Sequence, residues 1–89
     1  MEKTWVLYIL QCADGSYYTG ITDDLPRRLS EHNAGKGAKY TRGRGPVTLR
    51  YCKQMASKSD ALKEEYRIKQ LPRKMKIALC TLYVQKGDE

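Results

Sequence analysis

Residues 5–20, WVLYILQCADGSYYTG, decide the fold through the length of one turn. The run from Trp5 to Leu10 is aliphatic, aromatic and β-branched with apolar character on both faces, which predicts a central strand. Ala13, Asp14 and Gly15 turn the chain, and residues 17–22 return as a second strand. A two-residue Asp14-Gly15 turn would pair Ala13 with Ser16 and put Tyr8 and Tyr18 on opposite faces of the sheet. A three-residue loop over Ala13, Asp14 and Gly15, a type I turn closed by Gly15 in the left-handed conformation, pairs Cys12 with Ser16 instead. Leu10 then faces Tyr18 and Tyr8 faces Gly20, so both tyrosines and the glycine share one face. The second register is the expectation.

Beyond the hairpin, Asp23 and Asp24 are suited to cap a helix running to about Asn33, with Pro26 tolerated in its first turn. Gly35 and Gly37 end it. Residues 35–46, GKGAKYTRGRGP, read as a glycine-rich basic loop, and Pro46 opens a third strand over residues 47–52. Ser57 and Ser59 offer caps for a second helix over residues 58–71. Pro72 begins a third, shorter helix through Met75, Ala78, Leu79 and Leu82, and residues 85–89 should fray. The order β-β-α-β-α-α predicts an α+β fold, a three-stranded antiparallel sheet flanked by helices. A single domain over residues 1–84 with a short tail is expected, because a chain of 89 residues cannot divide its core in two.

Composition narrows the class. Seventeen Lys and Arg against ten Asp and Glu leave a net charge of +7, which draws a small domain to polyanions, nucleic acid first among them. Cys12, Cys52 and Cys80 are odd in number and far apart, matching neither a disulfide framework nor the close pairs of a zinc site. Their simplest role is as small buried hydrophobes in a reducing compartment. No repeats, no membrane-length apolar run and no signal-like segment are evident, so a cytoplasmic, non-membrane protein, monomeric in the simplest case, is the expectation.

Helical periodicity then singles out polar residues on apolar faces. With about 100° per residue, Arg28 and His32 fall on the side of Leu25 and Leu29, whereas Arg27, Ser30 and Glu31 fall on the far side. On the second helix Ala61, Leu62 and Ile68 define the apolar side; Glu65 sits inside that arc, Glu64 at its edge. Each has an ordinary explanation: Glu65 can pair with Lys69 one turn on, and Arg28 can snorkel past the leucines to water. Convergence argues otherwise. Two hydroxyls on one sheet face, an Arg–His pair on one helix and a carboxylate on another can meet in a single cleft, the inventory of an active site.

These residues carry a resemblance. Val6-Leu7-Tyr8, then Tyr18-Thr19-Gly20, Arg28 eight past the glycine, His32 four past the arginine and Glu65 within ALKEE resemble the GIY-YIG nuclease family. The stretch LYILQCADGSYYTGITDDLPRRLSEHNAGKGAKYTRGRGPV is similar throughout to small stand-alone GIY-YIG domain proteins of bacteria. Val6-Leu7 stands where the name-giving motif has Gly-Ile, and Thr19 where it has Ile; both are strand positions away from the chemistry.

The resemblance implies an endonuclease that hydrolyses DNA phosphodiester bonds with one Mg²⁺ or Mn²⁺ ion, in DNA repair or processing. Tyr18 matches the tyrosine taken as general base, with Tyr8 hydrogen-bonded nearby and His32 placed to relieve or assist it; the sequence does not separate Tyr8 from Tyr18 as the proton acceptor. Arg28 matches the residue on the scissile phosphate, and Glu65 the single carboxylate that anchors the metal. Gly20 is the gap opposite Tyr8. The alternative is a DNA- or RNA-binding module that keeps the nuclease fold without turnover. In either case a domain this small predicts structure-selective or weakly sequence-specific action, or a protein partner that supplies targeting.

In the loop, Lys36, Lys39, Arg42 and Arg44 interleave with Tyr40, which suits a mobile clamp on a nucleic-acid backbone with one ring for stacking. The Gly-Lys-Ser/Thr ending of a Walker A loop is absent. Lys69, Arg73, Lys74 and Lys76 either extend the same surface or are solvated charges.

Overall fold

The turn between the first two strands takes the three-residue form. Cys12 N–H donates to the Ser16 carbonyl at 2.8 Å, Gly15 N–H to the Cys12 carbonyl at 2.9 Å, and Gly15 has φ +88°. Asp14 Oδ1 accepts from the Ser16 N–H at 3.0 Å, a local bond that braces the turn. The computed structural model describes residues 4–87, with side chains described for residues 4–81. Its elements are β1 (Trp5–Gln11), β2 (Tyr17–Thr22), α1 (Leu25–Asn33), a 3₁₀ turn at Lys39–Thr41, β3 (Thr48–Met55), α2 (Lys58–Lys69) and α3 (Arg73–Gly87).

The sheet is antiparallel in the order β2-β1-β3, and the expected pairs Tyr8–Gly20 and Leu10–Tyr18 are present. β1 is central and covered on both faces: Leu7, Tyr8, Ile9 and Leu10 are each at most 1% exposed. Full burial of such side chains stabilises by roughly 1.5–3 kcal/mol apiece, which makes this strand the anchor of the fold. Leu7 and Ile9 pack with Ile68 of α2 and Cys80 of α3, while Tyr8 and Leu10 pack with Cys12, Val47 and the α1 residues Leu25 and Leu29. The result is three layers, with α1 on one face and α2 and α3 on the other.

Caps form as expected. Asp24 accepts from Arg27 N–H at 3.2 Å to start α1, and Ser57 from Asp60 N–H at 3.1 Å to start α2. Two elements and one side chain differ from the sequence expectation. β3 continues through Lys53, Gln54 and Met55, which pair with Leu7, Val6 and Trp5, because an edge strand tolerates polar residues that resemble a loop in sequence. α3 is the longest helix, with 15 residues against 12 in α2, since nothing in its interior breaks a helix. It runs to Gly87, so the expected tail at 85–89 falls on residues whose side chains, or for Asp88 and Glu89 whose whole placement, lie outside the described residues. Leu62, expected inward, is 48% exposed. The inward stripe of α2 is instead Ala61, Glu64, Glu65 and Ile68, with Ala61 and Ile68 fully buried.

All three cysteines are free: Cys12 and Cys80 buried, Cys52 half-buried. No helix among the described residues is long and apolar enough to cross a membrane.

Candidate active site

The hairpin register places the Tyr8 and Tyr18 rings on the same face, centroids 6.3 Å apart. Between them lies Gly20. A Cβ built there would stand 2.6 Å from the Tyr8 hydroxyl oxygen, 2.8 Å from Cζ of the same ring and 3.0 Å from the Tyr18 ring, so only a residue without a side chain lets both phenols occupy this space. Gly37 does the same from the loop side: a Cβ there would collide with His32 Nδ1 and come within 2.9 Å of its Cα.

α1 delivers His32 into this pocket. It is 1% exposed, and its Nε2 lies 3.0 Å from the Tyr8 hydroxyl while its Nδ1 lies 2.8 Å from Oγ1 of Thr41. Thr41 fixes which nitrogen carries the proton. Its hydroxyl has one hydrogen, and that hydrogen is donated to the Ala38 carbonyl at 2.9 Å, so toward His32 it can only accept. Nδ1 is therefore the N–H donor, and in the neutral ring Nε2 presents a lone pair that accepts the Tyr8 O–H. The chain Tyr8–His32–Thr41–Ala38 runs in one direction and leaves no buried polar side-chain atom unsatisfied among the described residues.

Charges tune this chain. Burial pushes the Tyr8 phenol up to about 12, with Tyr18 and Glu65 adding to the rise and Arg28 opposing it. His32 is held below its ordinary value, by burial first and then by the Arg28 cation, with Glu31 opposing. At neutral pH both groups are uncharged. Arg28 itself is half-buried, whereas the Arg27 side chain is 59% exposed, so adjacent arginines point as the periodicity predicts. Glu31 departs from the expectation that it faces away. It is half-buried and accepts from Arg28 Nη1 at 3.0 Å, because residues three apart on a helix are neighbours whichever side each nominally faces. One carboxylate leaves most of the guanidinium's five donors available.

Glu65 lies in the inward stripe, 20% exposed, with Lys69 Nζ at 3.4 Å, so the inward placement and the ordinary ion pair coexist. Glu64 is more enclosed, at 12%, and is bound by Arg67 Nε at 2.8 Å and by Lys53 Nζ at 3.2 Å. These partners hold its carboxyl down at about 2 and occupy both oxygens. Among the described residues no group of three or more His, Cys, Asp or Glu could cage a metal. A single carboxylate suits a hard ion that keeps most of its waters, such as Mg²⁺, and is poorly matched to zinc, so Glu65 fits the former.

The basic loop is pinned rather than free. Thr41 is 1% exposed, the Arg44 carbonyl accepts from Ala13 N–H at 2.7 Å, and Arg44 Nη1 bonds Asp14 at 2.6 Å. The expected mobile clamp is thus corrected: Asp14 and His32 supply partners that composition does not reveal. Lys36, Lys39 and Arg42 are exposed. Tyr40, 43% exposed, stacks on Tyr18 with centroids 6.0 Å apart and 26° between planes, and the Arg44 guanidinium lies 4.6 Å from its centroid. Tyr8, Tyr18, Arg28 and His32 thus gather around Gly20, with Glu65 within electrostatic reach of Tyr8. Thr41 and Gly37 belong to the same constellation and carry no signal in the sequence, since a loop has no period to project from.

Residues 4–78 match the family model described as the GIY-YIG catalytic domain. The chain belongs to the GIY-YIG family, a nuclease superfamily whose catalytic domain binds nucleic acid. It is 62% identical over 73 residues to a UPF0213 protein of Halobacterium salinarum, covering 82% of this chain and 95% of that one. A UPF0213 protein of Oceanobacillus iheyensis is 53% identical over 85 residues, covering 96% and 99%. Among solved structures, the NMR structure of the UPF0213 protein from Bacillus halodurans is 49% identical with a TM-score of 0.57, covering 89% of this chain and 84% of that one. A second NMR structure, of a protein from E. faecalis, is 42% identical with a TM-score of 0.62, covering 93% and 90%.

Proposed function

We propose that the protein is a divalent-metal-dependent endonuclease that hydrolyses DNA phosphodiester bonds, selective for structure more than for sequence, and serves DNA repair or processing. The observation that carries this reading is the one-way hydrogen-bond chain from Tyr8 through His32 to Thr41, with Arg28 beside the phenol and Glu65 within its electrostatic reach. A purely adhesive domain has no use for a buried relay in which an unprotonated imidazole nitrogen accepts from a phenol.

The relay decides how a tyrosine serves as base. With the Tyr8 phenol at about 12, a standing phenolate at neutral pH would cost about 7 kcal/mol at 1.36 kcal/mol per pH unit. That cost is avoided if Tyr8 passes its proton to His32 Nε2 as it takes one from the attacking water, so phenol and imidazole act as one base. Tyr8, rather than Tyr18, takes this role because Tyr8 alone has an onward acceptor. Tyr18, half-buried and without a protein partner for its hydroxyl among the described residues, is free to hydrogen-bond the water or a phosphate oxygen. Arg28 places a fixed cation where negative charge accumulates on the phosphate.

GIY-YIG nucleases generally use a divalent metal, and Glu65 is the residue that would hold it here. Bound, the ion supplies Lewis-acid charge at the phosphate and the leaving oxygen. Lys69 would then lose its partner at little cost, since its own side chain is 48% exposed and a solvent-screened pair contributes about 0–1 kcal/mol.

Plasmid and branched DNA incubated with the protein and Mg²⁺, Mn²⁺ or EDTA test the reading. Scission with metal, lost in EDTA and in Glu65→Ala, is expected. Salt-sensitive binding without scission under any metal would replace the enzyme with a binding module.

A further inference from the structure

A cavity of about 210 Å³ lies at the turn end of the β1–β2 hairpin, lined by Ser16, Tyr17, Tyr40, Arg73 and Lys76. We propose that it is a second phosphate-binding pocket, which takes one unpaired nucleotide of the bound strand beside the catalytic site. The proposal rests on the nuclease reading and adds a substrate class to it: nucleic acid with a single-stranded segment next to the point of cleavage.

Three observations carry it. First, the pocket's two cations have no acidic partner: no carboxylate among the described residues pairs with Arg73 or Lys76, and Lys76 is half-buried. Two like charges facing one hollow repel each other, and an anion between them removes that cost. Second, Arg73 is already oriented. One of its nitrogens donates to the Gly15 carbonyl at 3.1 Å, and its guanidinium lies 5.6 Å from the Tyr17 ring centroid, so little side-chain freedom remains to be lost on binding. Third, Tyr40 joins the pocket to the catalytic face. Its ring stacks on Tyr18, which contacts His32 with centroids 5.3 Å apart, and the same residue lines the pocket.

Size selects the ligand. The volume is below the roughly 300–1,000 Å³ of pockets that enclose drug-sized molecules, so a phosphate and sugar enter, with the base laid against Tyr17 or Tyr40, while a base pair does not. A base pair must open before one of its nucleotides can enter.

The test measures binding of a labelled oligothymidylate and of a blunt duplex to the full chain in EDTA, as a function of salt, for the wild type, Lys76→Ala and Arg73→Ala. Each variant is expected to bind the single strand about tenfold more weakly, the loss of one charged hydrogen bond. The slope of log K against log salt should fall by about 0.7, and blunt-duplex binding should be unchanged. Lys76→Ala removes no side-chain hydrogen bond or ion pair seen among the described residues and stands in if Arg73→Ala fails to fold. Single-strand affinity equal to wild type in both variants, or equal losses for single strand and duplex, would overturn the pocket. Metal-dependent scission with unchanged KM in Lys76→Ala would also overturn it while sparing the nuclease reading. Pocket-dependent binding without any scission would sink the nuclease reading instead.

Discussion

Thr41 Oγ1 stands 2.8 Å from His32 Nδ1 and can only accept from it, so a loop residue sets the tautomer of a helix residue nine positions earlier. That one bond makes Nε2 the acceptor for Tyr8, at 3.0 Å, and so determines which way a proton can move. Thr41→Val keeps the shape and removes the acceptor. It should cost about 1–3 kcal/mol of stability in urea unfolding, the penalty for an unmet buried N–H, and should slow scission with little change in KM. Thr41→Ser should restore both.

Gly20 and Gly37 are predicted to be intolerant of alanine for packing reasons. A methyl at Gly20 meets the Tyr8 hydroxyl at 2.6 Å, and one at Gly37 meets the His32 ring. Each should cost about 1–3 kcal/mol in thermal or urea unfolding, and Gly20→Ala should lose scission beyond what its stability loss explains, because the phenol must move.

Acid should switch off the relay and weaken the fold together. His32 takes a proton in the unfolded chain at its ordinary value of 6.5 but resists it in the folded protein. Between those two values the unfolded state binds more protons, so stability is fully present above 6.5 and is lost as pH falls through the window below it. The stability difference between wild type and His32→Gln should shrink from about pH 7 to about pH 5. The scission rate should fall over the same range, with a midpoint below the ordinary histidine value.

Adjacent glutamates should separate by function. Glu64 is held at about 2 from an ordinary 4.5 by Arg67 and Lys53, so the stability it contributes is present above 4.5 and disappears as pH drops toward about 2. Glu64→Gln should cost about 1 kcal/mol at neutral pH, flatten that acid limb and leave the metal requirement intact. Glu65→Ala should leave unfolding nearly unchanged and abolish metal-dependent scission.

The parts of this site that sequence makes legible are those with a local rule. The Ala13-Asp14-Gly15 turn fixes the register that puts Tyr8 opposite Gly20, and helical period brings Arg28 and His32 to one face. Thr41 and Gly37 were hidden because their contacts cross a loop. Periodicity puts Glu64 at the edge of the apolar arc but does not show how enclosed it is; two cations, Lys53 on β3 and Arg67 on its own helix, make burial of the carboxylate acceptable, and only one of them is near in sequence. The same limit applies to Lys53 and Gln54, which read as a loop and form the outer edge of the sheet.

The most direct test of the central claim is the single-turnover rate of DNA scission by Tyr8→Phe against wild type across pH with Mg²⁺ present. Loss of the shared base predicts a rate lower by about 10²–10⁴-fold and no remaining histidine limb, while Tyr18→Phe keeps that limb. A Tyr8→Phe protein that cuts at the wild-type rate with the wild-type pH dependence would contradict the account.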